Sequence, residues 1–351
     1  MRILLIKNGT IWDGEKFFHG DICVSDGKIS EIAENIENEN AYFVYDASGK
    51  IVSPGLVDIH THMLGYYGIN ADLSTIPFGV TAAADASAKP DCRDKYENYL
   101  VKNKVFVTAE IKDNKALFSN VETMLSHYGD KAIGLKVYFD TTISEVRDIT
   151  PLKEICEYAK EHKLIVMVHS SISPTPMAEI VDTLNKGDIL THSYHGGIHN
   201  ASEDGFECLK KAKEKGIIVD AGFAGEVHAD FKIFENAIKC GAAPDTISTD
   251  ITKFSAYKRG GRYGLPMCMG IAKASGMSEE DIFRSVTSTP AKALRKENEW
   301  GYLKVGRNAD IAVFDCGEEF SITDKRGNTV KSDDSYYCCF TVVDGEILFR
   351  I

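Results

Sequence analysis

From residue 51 to residue 251 the chain repeats one unit eight times, a short apolar run followed by a stretch whose apolar residues recur at helical spacing. The runs are Ile51–Ile59, Gly79–Ala84, Val105–Ile111, Ala132–Phe139, Leu164–His169, Asp188–His192, Gly216–Ala221 and Thr246–Ile251. The segment Pro151–Lys160 illustrates the helical partner, with Leu152, Ile155, Cys156 and Ala159 on one face. A strand that is apolar on both faces needs cover on both, which parallel strands joined by crossover helices provide. Eight such units in roughly 250 residues is the size of a (β/α)8 barrel. A doubly wound open sheet shows the same alternation, but no glycine-rich phosphate loop follows the first run.

The two ends read differently. Residues 1–53 alternate short β-like runs with the turn pairs Asn8-Gly9 and Asp26-Gly27, and the C-terminus returns to that style, with Asp344-Gly345 as a two-residue hairpin turn. Neither end has enough apolar sequence for a core of its own. Residues 1–53 and 303–351 are therefore expected to form one composite β-sandwich beside a barrel of residues 54–302.

Composition excludes several functions. Lys and Arg total 40 against 52 Asp and Glu, so the net charge of −12 argues against nucleic acid as a partner. No stretch approaches the ~20 apolar residues of a membrane span, and the first residues lack a signal-peptide core. The nine cysteines show no CxxC pattern, which suits reduced thiols and a cytoplasmic location. The expected partner is a small-molecule substrate, with self-association left open.

In a barrel the chemistry sits where strands end, so the residues closing each run carry the argument. The first run ends in His60-Thr61-His62; residues two apart in an extended chain share a face, which brings both imidazoles to the barrel mouth with Asp58 beneath them. The fourth places Lys136 among apolar neighbours, with Gly134 on the same face. Burying an ammonium is costly, and a depressed pKa would leave an amine able to form a carbamate with carbon dioxide; pairing with a carboxylate is the simpler reading of this lysine alone. The fifth and sixth runs end in His169 and His192, and the eighth in Asp250. Each has a bland role as a turn or packing residue, but together they form a far more specific set. His195 and His199 lie further along a loop, placed for substrate contact or exposure. His19, His127, His162 and His228 read as surface or packing residues.

These residues, in this order, resemble the amidohydrolase superfamily over nearly the whole chain, including Ser53–His62, Thr289-Pro290-Ala291 and Gly301–Ile311. The segments around Lys136, His169, His192 and Asp250 look like its amidohydrolase/deacetylase branch, related to dihydroorotases and D-aminoacylases. The resemblance implies two divalent ions, one on His60, His62 and Asp250 and one on His169 and His192, bridged by carboxylated Lys136. Zinc is the expected metal for these donors, with manganese or iron as alternatives. It further implies that a hydroxide generated between the cations attacks an amide or ester carbonyl, with Asp250 moving the proton to the leaving group. The expected substrate is a small carboxylated N-acyl or O-acyl compound. A cyclic-amide hydrolase of the dihydroorotase or hydantoinase type would use the same centre, and a non-catalytic barrel scaffold would lack its ligands. For substrate binding the strand-end loops offer Tyr66, Tyr67, Tyr138, Ser170 and His195, and the basic, glycine-containing stretch Lys253, Lys258, Arg259 and Arg262 suits a lid over a carboxylate.

Overall fold

The computed structural model describes residues 2–37, 39–225 and 227–351. Seven strands of the repeating region form one curled parallel sheet: β1 (Leu56–Thr61), β2 (Val80–Asp85), β3 (Lys102–Lys112), β4 (Ala132–Tyr138), β5 (Ile165–His169), β6 (Ile189–Thr191) and β7 (Ile218–Val219). Each pairs in parallel with the next in the chain, as crossover connections require. The eighth run adds main-chain bonds at both edges. Ala221 donates to Thr246 O and Phe223 to Ser248 O, while Asp250 donates to His60 O and His62 to Ile251 O. Helices cover the outside; Thr150–Glu161, started by Pro151, buries Leu152, Ile155, Cys156 and Ala159 as its spacing predicts.

The first expected run divides. Ile51–Pro54 pairs with Ile311–Phe314 in the other sheet, and only from Leu56 does the chain enter the parallel one. Gly55 makes the transfer because a Cβ there would stand 2.0 Å from Thr81 Oγ1, so any side chain would collide with the neighbouring strand.

The second sheet draws strands from both ends of the chain, in the order Glu346–Arg350, Thr329–Val343, Ile311–Thr323, Ile51–Pro54, Ile3–Trp12, Phe17–Ser25 and Lys28–Ala33, with Phe43–Asp46 beside Ile3–Trp12. Leu4, Ile11, Val24 and Val52 share one core with Ile311, Val313 and Phe340, which explains why neither end is apolar enough alone. Asp26-Gly27 and Asp344-Gly345 make tight turns with positive φ at both residues. Asn8-Gly9 does not turn the chain. It lies inside the strand Ile3–Trp12, where Asn8 has φ 63° and the register to Phe17–Ser25 slips, so the pair forms a bulge.

The nine cysteines are all unpaired. Among the described residues no helix is long and apolar enough to cross a membrane.

Gly134 tests the packing under the site. A Cβ there would stand 2.1 Å from Ile165 O and 2.8 Å from the Phe106 ring, across both neighbouring strands. Gly134→Ala is expected to destabilise the protein by about 2 kcal/mol or more, read as a lower denaturation midpoint. An unchanged midpoint would show that β4 has room to move.

Candidate metal centre and its cavity

The strand ends deliver the six expected donors to one buried place. His60 and Lys136 are each 1% exposed, His169 3% and His192 1%, so their polar atoms must find partners inside the protein. Asp250 Oδ1 lies 2.9 Å from His62 Nε2 and 3.4 Å from His60 Nε2, and Oδ2 lies 3.8 Å from His192 Nε2. Two sets of donor atoms fall within 4.8 Å of one another, His60 with His62 and Asp250, and His169 with His192 and His228.

Hydrogen bonds fix which imidazole nitrogens are left as acceptors. Buried Asp220 accepts the hydroxyls of Thr191, Thr246 and Ser248 at 2.7–2.8 Å. With its proton given to Asp220, the Thr191 hydroxyl must accept from His60 Nδ1, 2.9 Å away, so His60 Nε2 carries a lone pair. Lys136 Nζ takes up that lone pair at 3.0 Å. His192 Nδ1 donates to Gly222 O at 2.6 Å, which leaves its Nε2 bare, and His169 Nε2 faces Asp140 Oδ2 at 3.3 Å, which leaves its Nδ1. His192 Nε2 is buried with no hydrogen bond. Neutral imidazoles with bare nitrogens beside a carboxylate are a donor set that fits divalent metal, zinc included.

Electrostatics agree. Burial, helped by the nearby Lys136 charge, pushes His60 well below its usual pKa, and burial does the same to His192. Burial also lowers Lys136 to about 8 and raises Asp58 to about 7. It opposes the charge on Asp250, yet the facing His60 and His62 hold that carboxyl below the ordinary range. Two side chains sit on strained backbone, since His192 has φ 59° and Asp250 φ 46°, the left-handed region that non-glycine residues adopt at a cost of about 1 kcal/mol or more. His192 directly follows the strand Ile189–Thr191 and Asp250 directly precedes the bridge residue Ile251, and both are turned into the site.

The donors form the floor of a cavity of about 920 Å³. Tyr67, Tyr138, Lys258 and Arg259 line it as the sequence suggests. Ser170 and His195 do not. Ser170 follows His169 in an extended chain and so faces the opposite way, fully buried, and His195 is 1% exposed, with Nδ1 accepting from Gly197 N. Arg262 is exposed outside the lining, and Lys253 stacks on the Tyr66 and Phe254 rings at 4.4 and 5.2 Å. The stretch expected to be a basic loop begins as a helix, Lys253–Lys258, capped by Thr252.

His228 corrects the sequence reading. It is no packing residue; it lines the cavity with its ring 4.2 Å from that of His192, and its Nδ1 lies 3.0 Å from Ser171 Oγ. It sits on an irregular loop nine residues past β7, where no periodicity marks it. Asp220 and Thr191 lie in apolar runs, and their polarity there was the available signal.

A curled parallel sheet with imidazoles, a lysine and a carboxylate gathered at one edge is an enzyme architecture. The Amidohydrolase family model matches residues 51–348, and the chain belongs to that family. A deacetylase of Enterococcus faecalis is 28% identical over 98% of each chain, and a deacetylase of Agrobacterium fabrum 27% identical over 93% of this chain and 86% of its own. A solved dihydroorotase superposes with a TM-score of 0.88 at 25% identity, over 100% of this chain and 99% of its own. The protein is a hydrolase acting on carbon–nitrogen bonds other than peptide bonds.

The hydroxyl that orients His60 provides a test that does not depend on substrate. Thr191→Val keeps the shape but removes the acceptor for Nδ1, and it should weaken divalent-metal affinity about ten- to a hundredfold, measured by chelator competition. Unchanged affinity would mean that the Asp220–Thr191 pair does not orient His60.

Proposed function

We propose that this chain removes the acyl group from a small carboxylated N-acyl or O-acyl compound, using two divalent ions, zinc for preference. The carrying observation is the cavity itself. Two potential metal triads share its floor, and its described charged lining comprises Lys89, Lys136, Lys258, Arg259 and Lys325 against only Glu110 and Asp250. Apart from Lys136 and Asp250, which this reading assigns to the metals, four cations face one acid, and in a chain of net charge −12 that favours an anionic substrate. The deacetylase relatives, at 28% and 27% identity, favour acyl transfer to water over opening of a cyclic amide.

His60, His62 and Asp250 would hold one ion, His169 and His192 the other, and Lys136 both. The buried Lys136 amine, with its pKa near 8, retains enough neutral form to add carbon dioxide, giving a carbamate anion and releasing a proton. Bound divalent ions would supply Lewis acidity at the carbonyl and acidify water. Asp250, acceptor-only and aimed into the cavity, takes the proton of the attacking water and returns it to the leaving nitrogen or oxygen. Tyr138, with its ring 5.5 Å from Lys136 Nζ, walls the reaction off from solvent. We also take residues 54–302 as a closed eight-membered barrel, completed by segment 246–251, with residues 1–53 and 303–351 as its accessory unit and the cytoplasm as its site of action.

Metal analysis should find about two equivalents per chain, with activity on N-acetyl amino acids lost to a chelator and restored by zinc. Asp250→Asn should lower kcat about a thousandfold while retaining at least one ion. Hydrolysis of hydantoin or dihydroorotate in place of N-acetyl amino acids would favour the cyclic-amide reading. A fully active Asp250→Asn protein would remove Asp250 from the proton path.

A further inference from the structure

The second sheet reaches into the barrel's cavity. Ile311–Thr323 and Thr329–Val343 are long strands, and beyond Phe314 the first pairs only with the second, as a two-stranded ribbon that leaves its sheet. Such a ribbon has little stability of its own, and it lies along the helix Leu265–Ala274, where Gly270 leaves room for Ser335. Its tip is fixed to the barrel at two points. Asp324, 5% exposed, accepts from Phe231 N at 2.9 Å as well as from Arg326 N, Asn328 N and Asn328 Nδ2. Phe231 N is the first N–H of the helix Phe231–Lys239, so the carboxylate lies at that helix's positive end. Arg326 Nε lies 3.3 Å from Asp230 Oδ2 and packs on Gly196, where a Cβ would approach it to 2.0 Å.

Between these two anchors stands Lys325, an exposed residue that lines the cavity together with His228. The other cations of the lining are occupied. Lys89 donates to Ser87, Lys136 bonds to His60, and Lys258 and Arg259 have interactions of their own. Among the described residues Lys325 has neither hydrogen bond nor ion pair, although its two neighbours in sequence are firmly held.

We propose that Lys325 is a specificity-determining residue that binds the substrate's carboxylate, so that the second sheet completes the barrel's site. The identity of the anion as a substrate carboxylate rests on the deacylase reading above. A fixed ribbon tip places an ammonium at the cavity with little conformational freedom left in its backbone, which lowers the entropic cost of binding. This role was expected of the Lys253–Arg262 segment, whose Lys253 is instead stacked on aromatic rings and whose Arg262 lies outside.

The test uses the metal-loaded full chain, Lys325→Ala and Lys325→Arg, with 4-methylpentanoate as a carboxylate that offers no bond to cleave and 4-methylpentanamide as its uncharged counterpart. By calorimetry Lys325→Ala should bind the carboxylate about tenfold more weakly, the loss of one charged hydrogen bond, and Lys325→Arg within about threefold of wild type. The wild-type advantage should shrink in high salt, as for any solvent-accessible ion pair. With N-acetyl-leucine the KM of Lys325→Ala should rise in parallel, while KM for N-acetyl-leucinamide moves less than about twofold. Equal carboxylate affinity in wild type and Lys325→Ala, or no wild-type preference for carboxylate over amide, overturns the proposal. Lys325-dependent carboxylate binding without hydrolysis of either acyl compound would support Lys325 and refute the deacylase reading.

Discussion

Two main-chain hydrogen bonds hold the rest of this structure in place: Asp250 N to His60 O at 2.7 Å and His62 N to Ile251 O at 3.1 Å. They join the first strand to the last segment of the repeat, so the bonds that bring the sheet's edges together also set His60, His62 and Asp250 against one another. A slip of one residue would turn every side chain on that segment to the other face and remove the carboxylate from the imidazoles. Asp250 reaches this position on left-handed backbone, a local cost offset by the two hydrogen bonds and by the contacts of a fully packed sheet. The pairing of segment 246–251 with the first strand and the meeting of His60, His62 and Asp250 therefore depend on each other.

The charges inside obey an equally tight constraint. Lys136 bonds to His60, His60 to Thr191 and Thr191 to Asp220, a directed chain that runs from an ammonium to a carboxylate through a neutral ring. No member is buried without a partner, which is what makes a lysine at 1% exposure tolerable. The chain also sets a condition on metal binding. His60 Nε2 has one lone pair, and an ion that takes it must displace the Lys136 N–H. A lysine converted to an anionic carbamate would no longer compete for that nitrogen and would offer oxygen donors in place of a charge that repels the cation. On the two-metal reading proposed above, carboxylation of Lys136 and occupation of the imidazoles would favour each other.

Much of this was legible in the sequence, because the strand-end rule converts a list of polar residues into a ring of positions. His60, His62, Lys136, His169, His192 and Asp250 each close or interrupt an apolar run, and the structure gathers all six. The features that escaped have physical reasons. Ile51–Ile59 has uniform apolar character, and nothing short of the Thr81 side chain pressing on Gly55 reveals that it serves two sheets. Asn8-Gly9 has the composition of a turn, but left-handed backbone also suits a bulge, and neighbouring strands decide between them. His228 and Lys325 sit on irregular segments, where position follows from tertiary packing and leaves no periodic trace. Ser170 and His195 were placed by proximity to strand ends alone, without regard to the alternation that turns Ser170 away.

Specificity and chemistry thus draw on different parts of the chain. The floor of the cavity, Lys136 included, comes from strand ends of one sheet, whereas its other cations come from separate segments around residues 89, 258 and 325, the last carried by the other sheet. A net charge of −12 works against an anionic substrate at long range, but at physiological ionic strength that repulsion fades beyond about 8 Å. Within the cavity, apart from Lys136 and Asp250 at its floor, the balance reverses, with four cationic side chains facing one acidic one, and low-dielectric walls strengthen each of them. The segment that supplies Lys325 is rigid for reasons unrelated to chemistry: Asp324 on a helix start and Arg326 against Asp230 would fix the ribbon tip whatever residue stood between them. If Lys325 binds the substrate as proposed, a change of charge or size at position 325 would retune which anion is accepted while the imidazoles, Lys136 and Asp250 stay as they are.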